Sequence, residues 1–230
     1  MDHLNRLIIP TSDGSHTISI PEAGVTYHST HGAVQESMHV FLKTGLEKAL
    51  GIFETGDIHI FEMGFGTGLN AYLTAIATRK YQRKIHYTAV ELYPLSPGEA
   101  MKLNYAASEE EQQLFQHIHS APWDTDVIIS DHFTLKKVRQ SLLSAALPEQ
   151  FQVIYYDAFA PGYQPELWTE AVFRQLYAAL VPGGILTTYC SKSDVRRAMQ
   201  AAGFNVEKLA GPPGKREILR AARPADHSIR

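Results

Sequence analysis

Ile58-His59-Ile60-Phe61-Glu62-Met63-Gly64-Phe65-Gly66-Thr67-Gly68-Leu69-Asn70 reads as a buried strand, a glycine-rich turn and the start of a helix. Glycine at alternate positions of the turn permits positive φ and lets the backbone approach a ligand with no Cβ in the way. Downstream the pattern alternates. A helix is expected from Leu69 to Arg79, a strand from Ile85 to Val90, helical segments from about Pro97 to His117, and strands at Val127 to Ile129 and Val153 to Tyr156. A helix from Glu170 to Leu180, a turn at Pro182-Gly183-Gly184 and a strand from Ile185 to Tyr189 follow. Next comes a helix with Val195, Met199 and Ala202 on one face, ending at Gly203. Strands alternating with helices of this length imply parallel βαβ units, hence an α/β fold with a mostly parallel, doubly wound sheet. The last two strands, Asn205 to Lys208 and about Arg216 to Ala221, are joined by Gly211-Pro212-Pro213-Gly214. That connection is too short for a parallel crossover, so the pair is expected to be an antiparallel C-terminal hairpin.

Upstream of the glycine turn, Arg6 to Thr11 and His16 to Ile20 are β-prone and flank Ser12-Asp13-Gly14-Ser15, which predicts a small hairpin. From Ala33 to Leu50 the apolar residues Val34, Met38, Phe41, Leu42, Leu46, Ala49 and Leu50 recur at helical spacing. The expected organisation is an N-terminal extension over residues 1–50, hairpin plus helix, packed on a main domain over residues 51–230.

With 230 residues and 44% hydrophobic content, the chain is long enough for one sizeable core. Cys190 is the single cysteine, which excludes an intrachain disulfide framework and fits a reducing, cytoplasmic setting. No apolar run approaches the ~20 residues of a membrane span and the N-terminus lacks a signal pattern, so no membrane association is expected. His39, His117, His119 and His132 show no metal-ligand spacing, and no metal is expected; His39 reads as helix packing. The net charge of -3 is unevenly spread: the stretch from Cys190 onward is basic, the rest acidic.

The spacing of the glycines separates ligand classes. Dinucleotide sites use G-x-G-x-x-G with a diphosphate over the helix N-terminus. Here the form is G-x-G-x-G, preceded by Glu62, which suits S-adenosyl-L-methionine: no diphosphate needs the helix dipole, and an acid near the turn suits a cationic amino-acid moiety. Glu91, at the end of the next strand, is placed to accept hydrogen bonds from ribose hydroxyls. The candidate cofactor residues are Glu62, Gly64, Phe65, Gly66, Gly68, Asn70, Glu91 and Asp157. The strand ending at Tyr156 runs directly into Asp157-Ala158-Phe159-Ala160-Pro161, so Asp157 is expected in the same crevice, as the residue that orients or deprotonates an acceptor amine. Phe159, Tyr163 and Trp168 offer surfaces for base stacking, with Trp168 equally readable as a hydrophobic plug. Arg196, Arg197, Lys215 and Arg216 are the candidates to grip nucleic-acid phosphate.

Five blocks carry a family resemblance: Val40-Phe41-Leu42-Lys43-Thr44-Gly45-Leu46, Gly64-Phe65-Gly66-Thr67-Gly68-Leu69-Asn70, Asp157-Ala158-Phe159-Ala160-Pro161 with Pro165 and Trp168, Val195-Arg196-Arg197, and Gly214-Lys215-Arg216-Glu217. In these the chain resembles the methyltransferase domain of the tRNA 5-methylaminomethyl-2-thiouridine biosynthesis enzyme (MnmC) and its free-standing form, MnmD. The resemblance implies a Rossmann-like fold and methyl transfer from S-adenosyl-L-methionine to 5-aminomethyl(-2-thio)uridine at the tRNA wobble position. It also implies cofactor contacts from Gly64, Gly66, Gly68 and Glu91, with Asp157 at the reaction centre. The flavin oxidoreductase domain of the bifunctional enzyme is not expected here, so a separate protein would install the aminomethyl group. The chain departs from the family after the adenine-side strand, where Gly-Asp is common: Asp131 lies near, followed by Phe133-Thr134-Leu135-Lys136-Lys137. The alternative acceptors are a small-molecule or protein amine. A nicotinamide-dependent oxidoreductase is disfavoured by the glycine spacing, and a non-catalytic cofactor-binding tRNA partner is the remaining class.

Overall fold

A computed structural model of the chain describes residues 5–225; the ends of the two expected spans, residues 1–4 and 226–230, lie outside the described residues. The N-terminal hairpin forms as expected, from β1 (Leu7–Pro10) and β2 (His16–Ile20), and a short β3 (Val25–Thr26) extends it to a three-stranded antiparallel sheet. A helical segment follows in three parts: α1 (Ala33–Ser37), a π-helical run Met38–Leu46, and α2 (Glu47–Ile52). The wider π turn was not readable from the apolar spacing. It carries the first of the resemblance blocks and packs Val40, Phe41 and Leu46 into the core. Gly45 allows the approach, because a Cβ there would stand 3.1 Å from the Tyr155 ring and 3.2 Å from Thr187 Oγ1.

The main sheet contains β4 (Ile58–Met63), β5 (Ile85–Val90), β6 (Asp126–Ser130), β7 (Phe133–Val138), β8 (Phe151–Tyr156), β9 (Leu180–Thr188), β10 (Asn205–Ala210) and β11 (Glu217–Ala222). Their spatial order is β10-β11-β9-β8-β4-β5-β7-β6. Strands β9, β8, β4, β5 and β7 are mutually parallel, and β11 enters antiparallel between β9 and β10, as the short Gly211–Gly214 connection requires. The order reverses at β4, whose neighbours are β5 and β8, so a crevice opens at the carboxyl ends of these three strands.

Helices α3 (Leu69–Tyr81), α4 (Pro97–Ala100), α5 (Glu109–Ser120), α6 (Glu170–Ala179) and α7 (Ser193–Ala201) complete the fold. Two core clusters flank the sheet, and the strands' period of two sorts residues between them. Ile60, Val153 and Tyr155 meet the N-terminal helical segment, α3 and α5; Phe61, Ile154 and Tyr156 meet Phe173 of α6 and Met199 of α7.

Three expectations need correction. The segment 133–138 is itself a central parallel strand, beside β5; its alternation of buried and half-buried residues was hidden because Lys137 occupies an inward position. Lys137 is 1% exposed, donates to the His119 carbonyl at 2.8 Å and lies over the Trp123 ring. The strand expected at Val127 to Ile129 is therefore an antiparallel edge strand on β7, not a parallel member of the alternation. The expected turn at Pro182 to Gly184 lies inside β9, where the register against β8 shifts. The helical segments expected from about Pro97 form as two helices, each started by a serine: the Ser96 side chain accepts from the Glu99 amide in a capping box, and Ser108 accepts from the Glu111 amide.

Candidate active site

The glycine turn between β4 and α3 adopts the left-handed conformations that its composition permits, with φ of +89° at Gly64, +50° at Gly66 and +72° at Gly68. A Cβ at Gly64 would sit 3.0 Å from the Asp157 carbonyl oxygen, and one at Gly66 3.1 Å from the Tyr27 ring. The Glu91 carboxylate, at the end of β5, accepts from the Gly66 amide at 3.0 Å and the Tyr93 amide at 2.8 Å. Thr67, at the tip of the turn, is held from two sides. Its hydroxyl is 2.7 Å from His28 Nε2, and its carbonyl accepts from His119 Nε2 at 3.0 Å. Burial drives both imidazoles down to about 4, so both are neutral at pH 7. Since a carbonyl only accepts, the neutral His119 carries its proton on Nε2.

A cavity of about 680 Å³ occupies the crevice. The turn and Glu91 form one wall and Asp157 with Phe159 and Tyr163 another; Tyr27, from the N-terminal sheet, spans the two. The Tyr27 ring meets Phe159 edge-on at 5.0 Å, and Phe159 meets Tyr163 at 5.5 Å. Residues 140–143, just past β7, line the far end.

Asp157 follows β8 directly. Its Oδ2 accepts from Asn70 Nδ2 at 2.9 Å, and the same nitrogen donates to Glu62 Oε1 at 2.9 Å. Burial raises the Asp157 carboxyl to about 7; the nearby Glu36 carboxylate pushes the same way, while the Asn70 hydrogen bond and the Lys215 charge pull it down. Glu62, fully buried, is held well above the usual carboxylate range by desolvation, against the Asn70 hydrogen bond and with Asp157 adding to the rise. Glu36, on α1, accepts from the Ser29 amide at 2.8 Å and pairs with Lys215 Nζ, which stands 4.0 Å from the Tyr189 ring centroid.

Gly64, Phe65, Gly66, Asn70, Glu91, Asp157, Phe159 and Tyr163 all line the cavity. Four assignments change. Glu62 lies behind Asn70 and is 0% exposed, so it does not face a cationic ligand. Gly68 starts α3 one layer back, where a Cβ would meet His119 Nε2 at 2.6 Å; it shapes the turn and is not part of the wall. Trp168 is 6% exposed, stacks edge-on with Tyr156 at 5.0 Å and donates its indole N–H to the Phe159 carbonyl at 2.8 Å. It is a plug that holds the loop, with no face free for a base. Lys215 belongs to the cavity wall as the partner of a buried carboxylate and is not a surface phosphate contact.

Arg196 and Arg197 lie on α7, outside the cavity, with Arg197 paired to Asp194; Arg216 is exposed on the loop between β10 and β11. His39 packs its ring against the Ala210 carbonyl at 2.7 Å. Asp131 sits in the turn before β7, at the opposite end of the sheet from the cavity; the residues that occupy the expected adenine side are Gln140 to Leu143. Tyr27, His28, Glu36 and Tyr189 were missed, because no local motif marks residues brought in from the N-terminal sheet, α1 and β9.

The chemistry of the walls fits a nucleoside-containing cofactor: glycine backbone without Cβ obstruction, a carboxylate at the end of β5, and apolar residues such as Leu142 beyond it. Among the described residues, no group of three or more His, Cys, Asp or Glu is disposed to hold a metal ion, and no helix is long and apolar enough to cross a membrane.

Comparison with known proteins agrees with this architecture. The chain is 30% identical over 207 residues to the tRNA 5-methylaminomethyl-2-thiouridine biosynthesis bifunctional protein MnmC of Chromobacterium violaceum, covering 85% of this chain and 31% of that protein. It is 32% identical over 209 residues to the protein of the same name from Pseudomonas fluorescens, covering 84% of this chain and 31% of the relative. The chain thus spans about a third of the length of these curated relatives. The solved structure of MNMC2 from Aquifex aeolicus superposes with a TM-score of 0.77 at 23% identity, covering 97% of this chain and 72% of that one, and so shares its fold. Residues 98–224, which include Asp157 and Lys215, match the family described as S-adenosyl-L-methionine-dependent methyltransferase. The parallel sheet with its terminal antiparallel hairpin, the G-x-G-x-G turn and this match together establish that the chain belongs to the S-adenosyl-L-methionine-dependent methyltransferase family.

Proposed function

We propose that this protein methylates the aminomethyl group of 5-aminomethyl(-2-thio)uridine at the wobble position of tRNA. The observation that carries the proposal is the placement of Asp157, a carboxyl raised to about 7, across one cavity from the glycine turn and at the head of the Asp157-Ala158-Phe159-Ala160-Pro161 block. The names of the curated relatives, which cite tRNA 5-methylaminomethyl-2-thiouridine biosynthesis, support the same acceptor.

When bound, S-adenosyl-L-methionine supplies an electrophilic methyl group on a sulfonium centre. The chain's residues do the rest. The glycine turn from Gly64 to Thr67, Glu91 and residues 140–143 form the walls that hold the cofactor. Asp157 holds the acceptor ammonium, receives its proton and directs the freed lone pair inward; a carboxyl near pH 7 is matched to that task. Alignment at near-attack distance accounts for most of the remaining rate. Tyr27, Phe159 and Tyr163 offer edges and faces to the uracil ring. Arg196, Arg197 and Arg216 grip tRNA phosphate outside the cavity.

A second acceptor class, a small-molecule or protein amine, draws support from the pairing of the basic C-terminal segment with acids: Lys208 with Glu217, Arg220 with Glu207 and Arg223 with Glu149. Incubation with methyl-labelled S-adenosyl-L-methionine and tRNA carrying or lacking 5-aminomethyluridine separates the two. Label confined to the aminomethylated tRNA is the expected result. Equal label in both, or none in either, removes the wobble-uridine assignment.

A further inference from the structure

Asn70 stands in the first turn of α3 with its amide between two carboxyl groups from different strands. Its nitrogen donates to Glu62 of β4 and to Asp157 after β8, both at 2.9 Å, and its Oδ1 is buried with no hydrogen-bond partner among the described residues. An amide offers two N–H donors and one carbonyl. Here both donors serve carboxyl oxygens, and the flipped amide would set its own carbonyl against them. The surroundings therefore enforce one orientation. With Oδ2 of Asp157 engaged by Asn70, Oδ1 is the oxygen left for a ligand in the cavity.

We propose that Asn70 is a positioning residue for methyl transfer: its amide, kept in the donating orientation by Glu62, turns Asp157 so that a single carboxylate oxygen, Oδ1, faces the acceptor amine. The assignment rests on Asp157 as the receiver of that amine. Glu62 acts at one remove: its Oε1, fully buried, accepts from the amide, and desolvation disfavours its charged form. The other groups near Asp157 are Glu36 from α1, Lys215 from the β10–β11 loop, Tyr189 just after β9 and Tyr87 of β5. These stay in place when Asn70 is changed. Loss of the amide removes a hydrogen bond that favours the ionised carboxylate, so Asp157 titrates at still higher pH.

The test follows the Asp157 carboxyl by carbon-13 NMR in cofactor-bound protein, its signal identified by its absence from Asp157→Asn, together with the pH profile of kcat/KM. In Asn70→Ala the titration and the acid limb of the profile are expected to rise together by about one pH unit, with kcat lowered roughly tenfold and the tRNA KM little changed. Glu62→Leu, which frees the amide to flip, shifts both likewise, whereas Glu62→Gln, which still presents an accepting oxygen, stays within roughly 0.3 unit of the parent. If Asn70→Ala leaves the titration where it was, or if Glu62→Gln moves it as far as Glu62→Leu, the proposal is wrong. Asn70→Ser provides the same readout should the alanine variant fail to fold. The NMR titration needs no acceptor, so failure of the tRNA assignment appears separately, as absent methyl transfer by the parent enzyme.

Discussion

Asp157 is an unfavourable group for the fold in its ionised form. Its carboxyl titrates at about 7 in the folded chain against 3.8 as the unperturbed value, so the native state binds the proton more tightly than the unfolded state. The destabilisation is absent below the lower value, grows as pH rises between the two and is complete above 7. Asp157→Asn is expected to raise unfolding free energy at pH 8 by about 2 kcal/mol, after allowance for the solvent that reaches the cavity, with little gain at pH 4. Urea denaturation at the two pH values checks this, and equal gains at both would contradict it. Lys215 works the other way. Glu36 is 5% exposed, so Lys215→Met leaves a buried carboxylate without its cation and should cost about 2 kcal/mol, part of which returns in the double variant with Glu36→Gln. Arg216→Ala, by contrast, should leave stability and cofactor affinity unchanged and reduce the salt slope of tRNA binding by about one.

Among the elements, the glycine turn depends on contacts that no nearby residue supplies. His28 comes from the segment after β3 and His119 from the end of α5, and together they hold both the hydroxyl and the carbonyl of Thr67. This couples the N-terminal sheet to the cofactor wall. His28→Ala should weaken S-adenosyl-L-methionine binding roughly tenfold, as a lost buried hydrogen bond implies, while the circular dichroism spectrum stays unchanged. Unaltered affinity by calorimetry would show that the turn holds its shape without the clasp. The π-helical run makes a comparable demand at Gly45. Gly45→Val drives two methyl groups toward Tyr155 and Thr187 and should destabilise the fold by roughly 1–3 kcal/mol, read as a lower Tm.

For the whole molecule, the buried imidazoles set the acid limit. His28 and His119 titrate at about 4 when folded and at 6.5 when unperturbed, so the unfolded chain binds more protons in this interval and stability falls as pH drops through it. His28 alone contributes on the order of 3 kcal/mol to that loss at its limit. Asp157 opposes the trend over much of the same range. Stability in Asp157→Asn should therefore fall more steeply between pH 7 and pH 4 than in the parent chain, and a parallel pair of curves would refute the assignment of these titrations.

How much was legible from the chain alone follows from range. The turn at residues 64–68, the alternation of β4, β5, β8 and β9 with helices and the antiparallel hairpin joined at Gly211 to Gly214 are local patterns: each depends on residues a few positions apart, whose spacing dictates conformation. Glu91 and Asp157 were readable for a related reason, since a residue that ends a central parallel strand faces the crevice whatever the loops do. Burial and long-range partners were not readable. Lys137 disguised β7 because its charge is accommodated by a carbonyl and an aromatic ring distant in sequence, and the two sequence readings of Trp168, plug and stacking face, were separated only once Tyr156 and Phe173 were beside it. Lys215 looked like a surface cation until helix α1 brought Glu36 against it across the fold. Local spacing in the sequence determined the fold and the position of the cofactor turn; only the tertiary structure decided which charges are buried, which are paired and which oxygen of Asp157 remains free, because those depend on packing between segments far apart in the chain.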